Sequence, residues 1–387
     1  MSWNGNRRAL RRGPGSIAAV AVFGVALSAC SSGTGSGPGA AGSSGDGSAS
    51  KWQAKFAWGT FNLAPKVQKR IQKGETLRII SSVAGTGVPV AAAEQAAGVA
   101  RACADKASGL KLDCRLVGPA STNTAAQLAE LEALLNSNQV DCLSFQTGEP
   151  NAFVNIINRY VDAGIPVFGQ NGDVADSKRF AYFALNESDA AKANAELTAA
   201  VMKKEGITPT KVAVGSGLPT APWSQARMKG FKAGLEGAIP GVSFFNDAGS
   251  ALPTGDGFTV AETITAVAPF LRGHSDVNLF FQNDQDVEGV GKVIEDNGLL
   301  GKVWASGFNV SNPILNSIDK GSILVTIDQG FDNQAQGAAA ACVKFLATGE
   351  HPADPLVYLK PILITKDGLN GSMNINDARA RLTKALS

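Results

Sequence analysis

The chain has 387 residues, 44% of them hydrophobic and 18% charged, which suits globular domains and leaves room for more than one. It carries 35 basic and 33 acidic residues, and without the arginines of its leader the balance turns slightly negative, so a nucleic-acid partner is excluded. With 2 histidines in the whole chain, a catalytic dyad has few residues to draw on, and the protein is not expected to be an enzyme.

Arg7, Arg8, Arg11 and Arg12 precede an apolar run at 17–29 that ends in Leu27-Ser28-Ala29-Cys30. This is the three-part layout of a secretory signal peptide, and the run is too short to remain as a membrane-spanning helix. The small residues before Cys30 resemble the bacterial lipobox. That resemblance implies removal of 1–29 and lipidation of Cys30, which would hold the protein at the outer face of the cytoplasmic membrane. Residues 31–50 are almost wholly Gly, Ser and Ala, so 30–50 reads as a lipidated cysteine on a flexible tether reaching about 25 Å.

Residues 51–74 hold Trp52, Phe56, Trp58 and Phe61, too aromatic for a linker, and are expected to pack on the first lobe as an extension with a helix near 66–72. Strands are predicted next at 77–83, 112–117, 140–145, 165–169 and 180–184, with helices at 91–106, 124–136 and 152–163 between them. The pattern continues with helices at 189–204, 224–235, 259–271 and 286–297, and strands at 211–215, 277–281, 302–306 and 322–327. Such alternation argues for parallel sheets flanked by helices. Several strands are apolar on nearly every residue, as expected when both faces are covered, and ligands then collect at the carboxyl ends of strands.

Besides Cys30 the chain has Cys103, Cys114, Cys142 and Cys342, an even number in a compartment where disulfides persist. Cys103 and Cys114 are separated by one short loop and are a possible disulfide. Cys142 and Cys342 read equally well as small buried hydrophobes.

Three strand-end motifs, Gln282-Asn283-Asp284, Gly307-Phe308-Asn309 and Thr326-Ile327-Asp328-Gln329, follow one another at family-like spacing. With the order of elements over 75–366 they resemble the ribose-binding-protein family, the sugar-binding branch of the type I periplasmic binding proteins. The resemblance implies an α/β fold of two doubly wound lobes with parallel sheets, joined by three crossover segments near 184–186, 327–329 and 359–362. One lobe would comprise 75–184 and 329–359, the other 185–328 and 360–387, with the ligand cleft between them.

Carried over position by position, the resemblance places Gln170 and Asn171 where the family commonly has an Asp-Arg pair. It places Gln225 at a sugar-binding arginine and Asn309 at an aspartate. Asn283 and Gln329 keep the family's residue type, and Phe258 and Phe308 fall near its aromatic positions. The loop 84–89 lacks the family's polar and paired aromatic side chains, which makes Trp223, just upstream of Gln225, a candidate apolar wall.

An amide offers one acceptor and two donors in a plane, which suits hydroxyls that both donate and accept, and aromatic rings suit the C–H faces of a sugar. None of these positions is Arg or Lys, so the expected ligand is an uncharged sugar, polyol or cyclitol whose binding varies little with pH or salt. For each amide the plainer alternative is a turn or cap residue. The function implied is that of a monomeric solute-binding protein of an ATP-driven importer, without cofactor or metal, serving membrane permease subunits and their cytoplasmic ATPase. A sensory or signalling receptor of the same fold, for an autoinducer-like or chemotactic ligand, is the alternative.

Asp284, Asp286, Glu288, Gly289 and Glu295 also match the spacing of a calcium-binding loop. Val287, Val290 and Ile294 keep helical spacing through the same stretch, however, and acids in a helix's first turn are explained by its dipole.

Overall fold

The computed structural model describes residues 51–87, 89–246, 249–255 and 259–386. The leader, Cys30, the tether and Phe258 lie outside the described residues.

A two-stranded antiparallel hairpin, β1 (Gln53–Phe56) and β2 (Gly59–Asn62), opens the fold and leads into α1 (Pro65–Gln72), whose first position is a proline. Then come β3 (Leu77–Ser82), α2 (Pro89–Ala104), β4 (Leu112–Val117), α3 (Thr124–Asn136), β5 (Cys142–Phe145), α4 (Pro150–Asp162), β6 (Val167–Gln170) and β7 (Ala181–Ala184). The second lobe is built from α5 (Glu187–Lys204), β8 (Val212–Ser216), α6 (Pro222–Ala238), β9 (Leu252–Pro253), α7 (Val260–Gly273), β10 (Leu279–Gln282), α8 (Val287–Asp296), β11 (Trp304–Phe308), α9 (Asn312–Lys320) and β12 (Ile323–Asp328). The chain returns to the first sheet through α10 (Phe331–Thr348) and β13 (Leu356–Tyr358), then ends on the second with β14 (Ile362–Ile364) and α11 (Ile375–Leu386).

The first sheet has the order β4-β3-β5-β6-β7-β13, all parallel, and the second β9-β8-β10-β11-β12-β14, parallel except for the antiparallel edge strand β14. The chain passes between them after β7, after β12 and after β13. In both sheets the order reverses beside the first strand of the lobe, and it is outside the carboxyl ends at such a reversal that ligands bind. Fully buried runs such as Cys142–Phe145 and Leu279–Gln282 need helices on both faces, which the alternating chain supplies.

Two helix pairs pack at very short range. A Cβ on Gly98 of α2 would stand 2.0 Å from the carbonyl oxygen of Asp332 in α10, and one on Gly230 of α6 would stand 2.1 Å from that of Ser188 in α5. Only glycine allows the backbones this close. The aromatic extension packs on the first lobe: Trp52 Nε1 donates to the Leu346 carbonyl at 2.9 Å, and Phe61 and Phe345 meet Phe180 edge-on at 4.8 and 5.2 Å.

Both cysteine pairs are disulfides. Cys103–Cys114 ties α2 to β4, and Cys142–Cys342, with Cα atoms 5.8 Å apart, ties β5 to α10 across 200 residues. The second bridge joins the two separate stretches of chain that form the first lobe.

The elements missed in the sequence are the strands β1, β2, β9, β13 and β14 and the helices α9, α10 and α11. The strands β9, β13 and β14 have two or three residues each. The Ala-rich α10 buries residues around most of its circumference, so no polar face marks its period.

Candidate ligand-binding site

The residues at the carboxyl ends of β10, β11 and β12 meet around one buried guanidinium. Arg227, from the inner face of α6, donates through Nε to Glu187 at 2.5 Å, through Nη1 to the Asn283 carbonyl at 2.7 Å, and through Nη2 to Oε1 of Gln329 at 2.9 Å. Its Nη1 also lies 3.7 Å from Asp284. Its Cζ lies over the Phe308 ring at 3.9 Å from the centroid and over the Trp223 ring at 4.9 Å.

From there a chain of amides runs to the crossover. Gln329 Nε2 donates to Asn309 Oδ1 at 2.6 Å, and Asn309 Nδ2 donates to Asp284 Oδ1 at 2.5 Å. Asn309 holds a left-handed backbone, φ 70°, a conformation asparagine tolerates better than most residues. Asn283 is fully buried, its Nδ2 donating to the hydroxyl and carbonyl oxygens of Ser224 at 2.8 and 3.1 Å. Burial raises the Asp284 carboxyl and Arg227 opposes the rise. Burial pulls the guanidinium the other way, but Glu187 and Asp284 outweigh it and hold Arg227 charged.

On the first lobe Gln170 closes β6, buried, with Nε2 donating to Ser81 Oγ at 3.1 Å. Asn171 follows with φ 33°, its backbone N–H donating to Phe183 at 3.3 Å. Gln170 Oε1 and Asn283 Oδ1 are buried and have no hydrogen-bond partner among the described residues.

Asn283, Phe308, Asn309, Gln329 and Trp223 are thus brought together around Arg227. Gln225 stands apart: its Nε2 donates to the Pro219 carbonyl and closes its own loop. Two residues along a helix point to nearly opposite sides, so Arg227 is buried on the inner face of α6 while Gln225 lies on the face toward its preceding loop. Beside the expected amides stands a buried charged cluster that the sequence reading did not include: Arg227, Glu187 and Asp284 contact Asn283 and Gln329 without lining the interlobe cavity. A signal was present in the sequence: Ser224, Arg227, Met228, Phe231 and Leu235 share one helical stripe, and an arginine on an apolar stripe needs buried partners. Phe308 is itself fully buried and presents its ring to the guanidinium rather than to the cleft.

The acids of the calcium-like spacing are used differently. Asp286 accepts from Thr254 and Thr263 beneath β10, Glu288 from Ser311, and Glu295 from Ser317 and Ser322.

The lobes are in contact. Val90 of α2 packs against a core cluster of the second lobe, and Arg381 of α11 pairs with Asp328 and Asp332 at 2.6 and 2.5 Å. Between them Val90, Ala91 and Glu94 face Gln285, Asn309 and Gln329 across a cavity of about 20 Å³, room for roughly one water, so a larger ligand enters only if the lobes part. Two larger hollows, about 570 and 470 Å³, lie on the second lobe. The smaller of these reaches Trp304 and Ile323 at the amino ends of β11 and β12, away from the strand ends where Asn283, Asn309 and Gln329 converge.

A family model described as "Periplasmic binding protein domain" matches residues 85–351. No curated protein gives a significant match. Among solved structures, a solute-binding protein of an ABC transporter from Burkholderia graminis, in complex with D-arabinose, is similar at 20% identity with a TM-score of 0.64, over 77% of this chain and 98% of that one. A sugar-binding protein of a sugar ABC transporter from Bacillus halodurans is similar at 20% identity and TM-score 0.65, over 77% and 100% of the two chains. A periplasmic ribose ABC transporter protein from Conexibacter woesei is similar at 18% identity and TM-score 0.64, over 79% and 95%.

Proposed function

The chain belongs to the periplasmic binding protein family, a family of binding proteins rather than enzymes, and on that premise we propose that it is the receptor of an ATP-driven carbohydrate importer. It takes one small neutral sugar, polyol or cyclitol between its lobes, acts as a monomer, and hands the ligand to membrane permease subunits. The observation that carries this reading is the charge balance at the strand ends. The guanidinium of Arg227 is closed off by Glu187 and Asp284, which leaves it no open face for a carboxylate or phosphate among the described residues. The unpaired buried groups on both lobes, Gln170 Oε1 and Asn283 Oδ1, are acceptors that ligand hydroxyls can satisfy.

The similar protein solved with D-arabinose supports a monosaccharide of this kind. Export and anchoring through Cys30 rest on the leader and lipobox-like sequence; among the described residues no helix is long and apolar enough to cross a membrane. The test is a thermal-shift screen of pentoses, hexoses, polyols and cyclitols beside the matching sugar acids, where a ligand at 100 times its Kd stabilises by about 2.7 kcal/mol. Binding confined to sugar acids or phosphates overturns the neutral-ligand reading. Small-angle scattering with the best binder then tests closure, since unchanged profiles would leave no hinge motion to couple to a permease.

A further inference from the structure

Glu94 stands in the second turn of α2, on the first lobe, and is one of the residues facing the interlobe cavity. It is 1% exposed, and its Oε1 has no hydrogen-bond partner among the described residues. A buried carboxyl without a donor is costly, and the groups around it explain why it lacks one. From its own helix Arg101 faces it, but Arg101 donates to Asp332 at 2.8 Å and to Gln336 at 3.0 Å. From α11 Arg381 faces it, but both of that guanidinium's contacts go to Asp328 and Asp332. The crossover and α10 contribute Asp328 and Asp332 themselves, which repel a second anion. Across the cavity, Nδ2 of Asn309 is taken by Asp284 and Nε2 of Gln329 by Asn309.

The cavity wall therefore contains one acceptor whose complement must come from outside the described chain, beside amides already engaged with one another. We propose that Glu94 is a further ligand-recognising residue of the first lobe: its unpaired Oε1, buried against the interlobe cavity, accepts a hydroxyl of the bound carbohydrate. This deepens the carbohydrate reading above and rests on it. Burial first, then Asp328 and Asp332, push the Glu94 carboxyl up to about 8, against the smaller pull of Arg381 and Arg101. When the lobes part and Glu94 meets water, it returns toward its ordinary 4.5. Its ionised form is thus disfavoured in the closed state. Closure is strongest below the open-state value, weakens as pH rises between the two, and levels off above about 8. The flat pH response expected from the amides alone is replaced by this slope.

The experiment is calorimetry of the whole folded chain with D-arabinose, D-ribose, D-glucose, myo-inositol and D-glucuronate, between about pH 5.5 and 9, on the wild type, Glu94→Gln and Glu94→Ala. For the panel member that binds, wild-type affinity falls by up to about tenfold per pH unit through the window and binding takes up a proton. Glu94→Gln, which keeps the shape and hydrogen bonds of the neutral acid, binds with a flat pH profile. Glu94→Ala is weaker by about tenfold at the acid end. Wild-type binding that is flat with pH, or Glu94→Ala binding as tightly as wild type, overturns the assignment. So does Glu94→Gln losing as much as Glu94→Ala, because the anion would then be the binding form. If only glucuronate binds, the neutral-carbohydrate reading falls while the same three proteins still decide Glu94. If no panel member binds, the carbohydrate reading falls, and small-angle scattering of the empty chains at about pH 9 decides Glu94: a wild type more open than Glu94→Gln upholds its cost in the closed cleft, and identical profiles overturn it.

Discussion

Arg227 and Gln329 are 102 residues apart in the chain, yet Nη2 of one donates to Oε1 of the other at 2.9 Å, joining α6 of the second lobe to the crossover that leads into the first. The strand-end amides therefore do not wait independently for a ligand. They are held in a network whose centre is a buried, fully partnered cation.

Replacing Arg227 with Met is expected to leave Glu187 and Asp284 without their cation, at a cost of about 3–5 kcal/mol in urea unfolding. The double variant Arg227→Met/Asp284→Asn should recover part of that loss. A single variant as stable as the wild type would show that the guanidinium is dispensable to the fold.

Gln329→Ala and Asn283→Ala should each weaken binding of the best panel sugar by roughly 1–3 kcal/mol, measured by calorimetry. Gln329→Ala removes the partner of both Arg227 and Asn309, and Asn283→Ala removes a free acceptor. Unchanged affinity in both would move the ligand away from these strand ends.

The two disulfides should differ in value. On the chain-entropy view the bridge Cys142–Cys342, which closes the longer loop, contributes about 5 kcal/mol and Cys103–Cys114 about 3 kcal/mol. Paired serine variants, unfolded in denaturant under oxidising conditions, test the order. Equal losses would place the stabilisation in local contacts rather than in the loop.

Asp286 lies under β10 with burial, and secondarily the Asp284 charge, raising its carboxyl to about 7. Because the folded value stands above the unfolded one, ionisation costs stability: the penalty is absent below about pH 4, grows up to 7 and is complete above it. Asp286→Asn should therefore melt higher than the wild type at about pH 8 and no higher near pH 4. A lower melting temperature at the alkaline end would show that the fold prefers the carboxylate.

Cys30→Ser should release the exported protein from membranes in its native host, as seen by fractionation. Mass spectrometry finding an unmodified Cys30 in the wild type would sink the anchor.

Alternation of apolar strand runs with helical stretches was enough to establish parallel α/β lobes, because a strand buried on both faces must be apolar throughout and its crossover must be a helix. The same local logic put Asn283, Asn309 and Gln329 at strand ends. What it left open depends on partners far apart in the chain. The sequence could not choose whether Cys142 and Cys342 pair, since 200 residues separate them and only the seating of α10 on β5 brings them together. Gln225 and Arg227 lie in the same turn, and which of them is buried beside Asn283 and Gln329 depends on the face that α6 turns to the sheet. Glu94 reads as an ordinary surface acid in an Ala-rich helix. Its burial arises only when α2 meets the crossover, α10 and α11, where Arg101 and Arg381 are already held by Asp328 and Asp332.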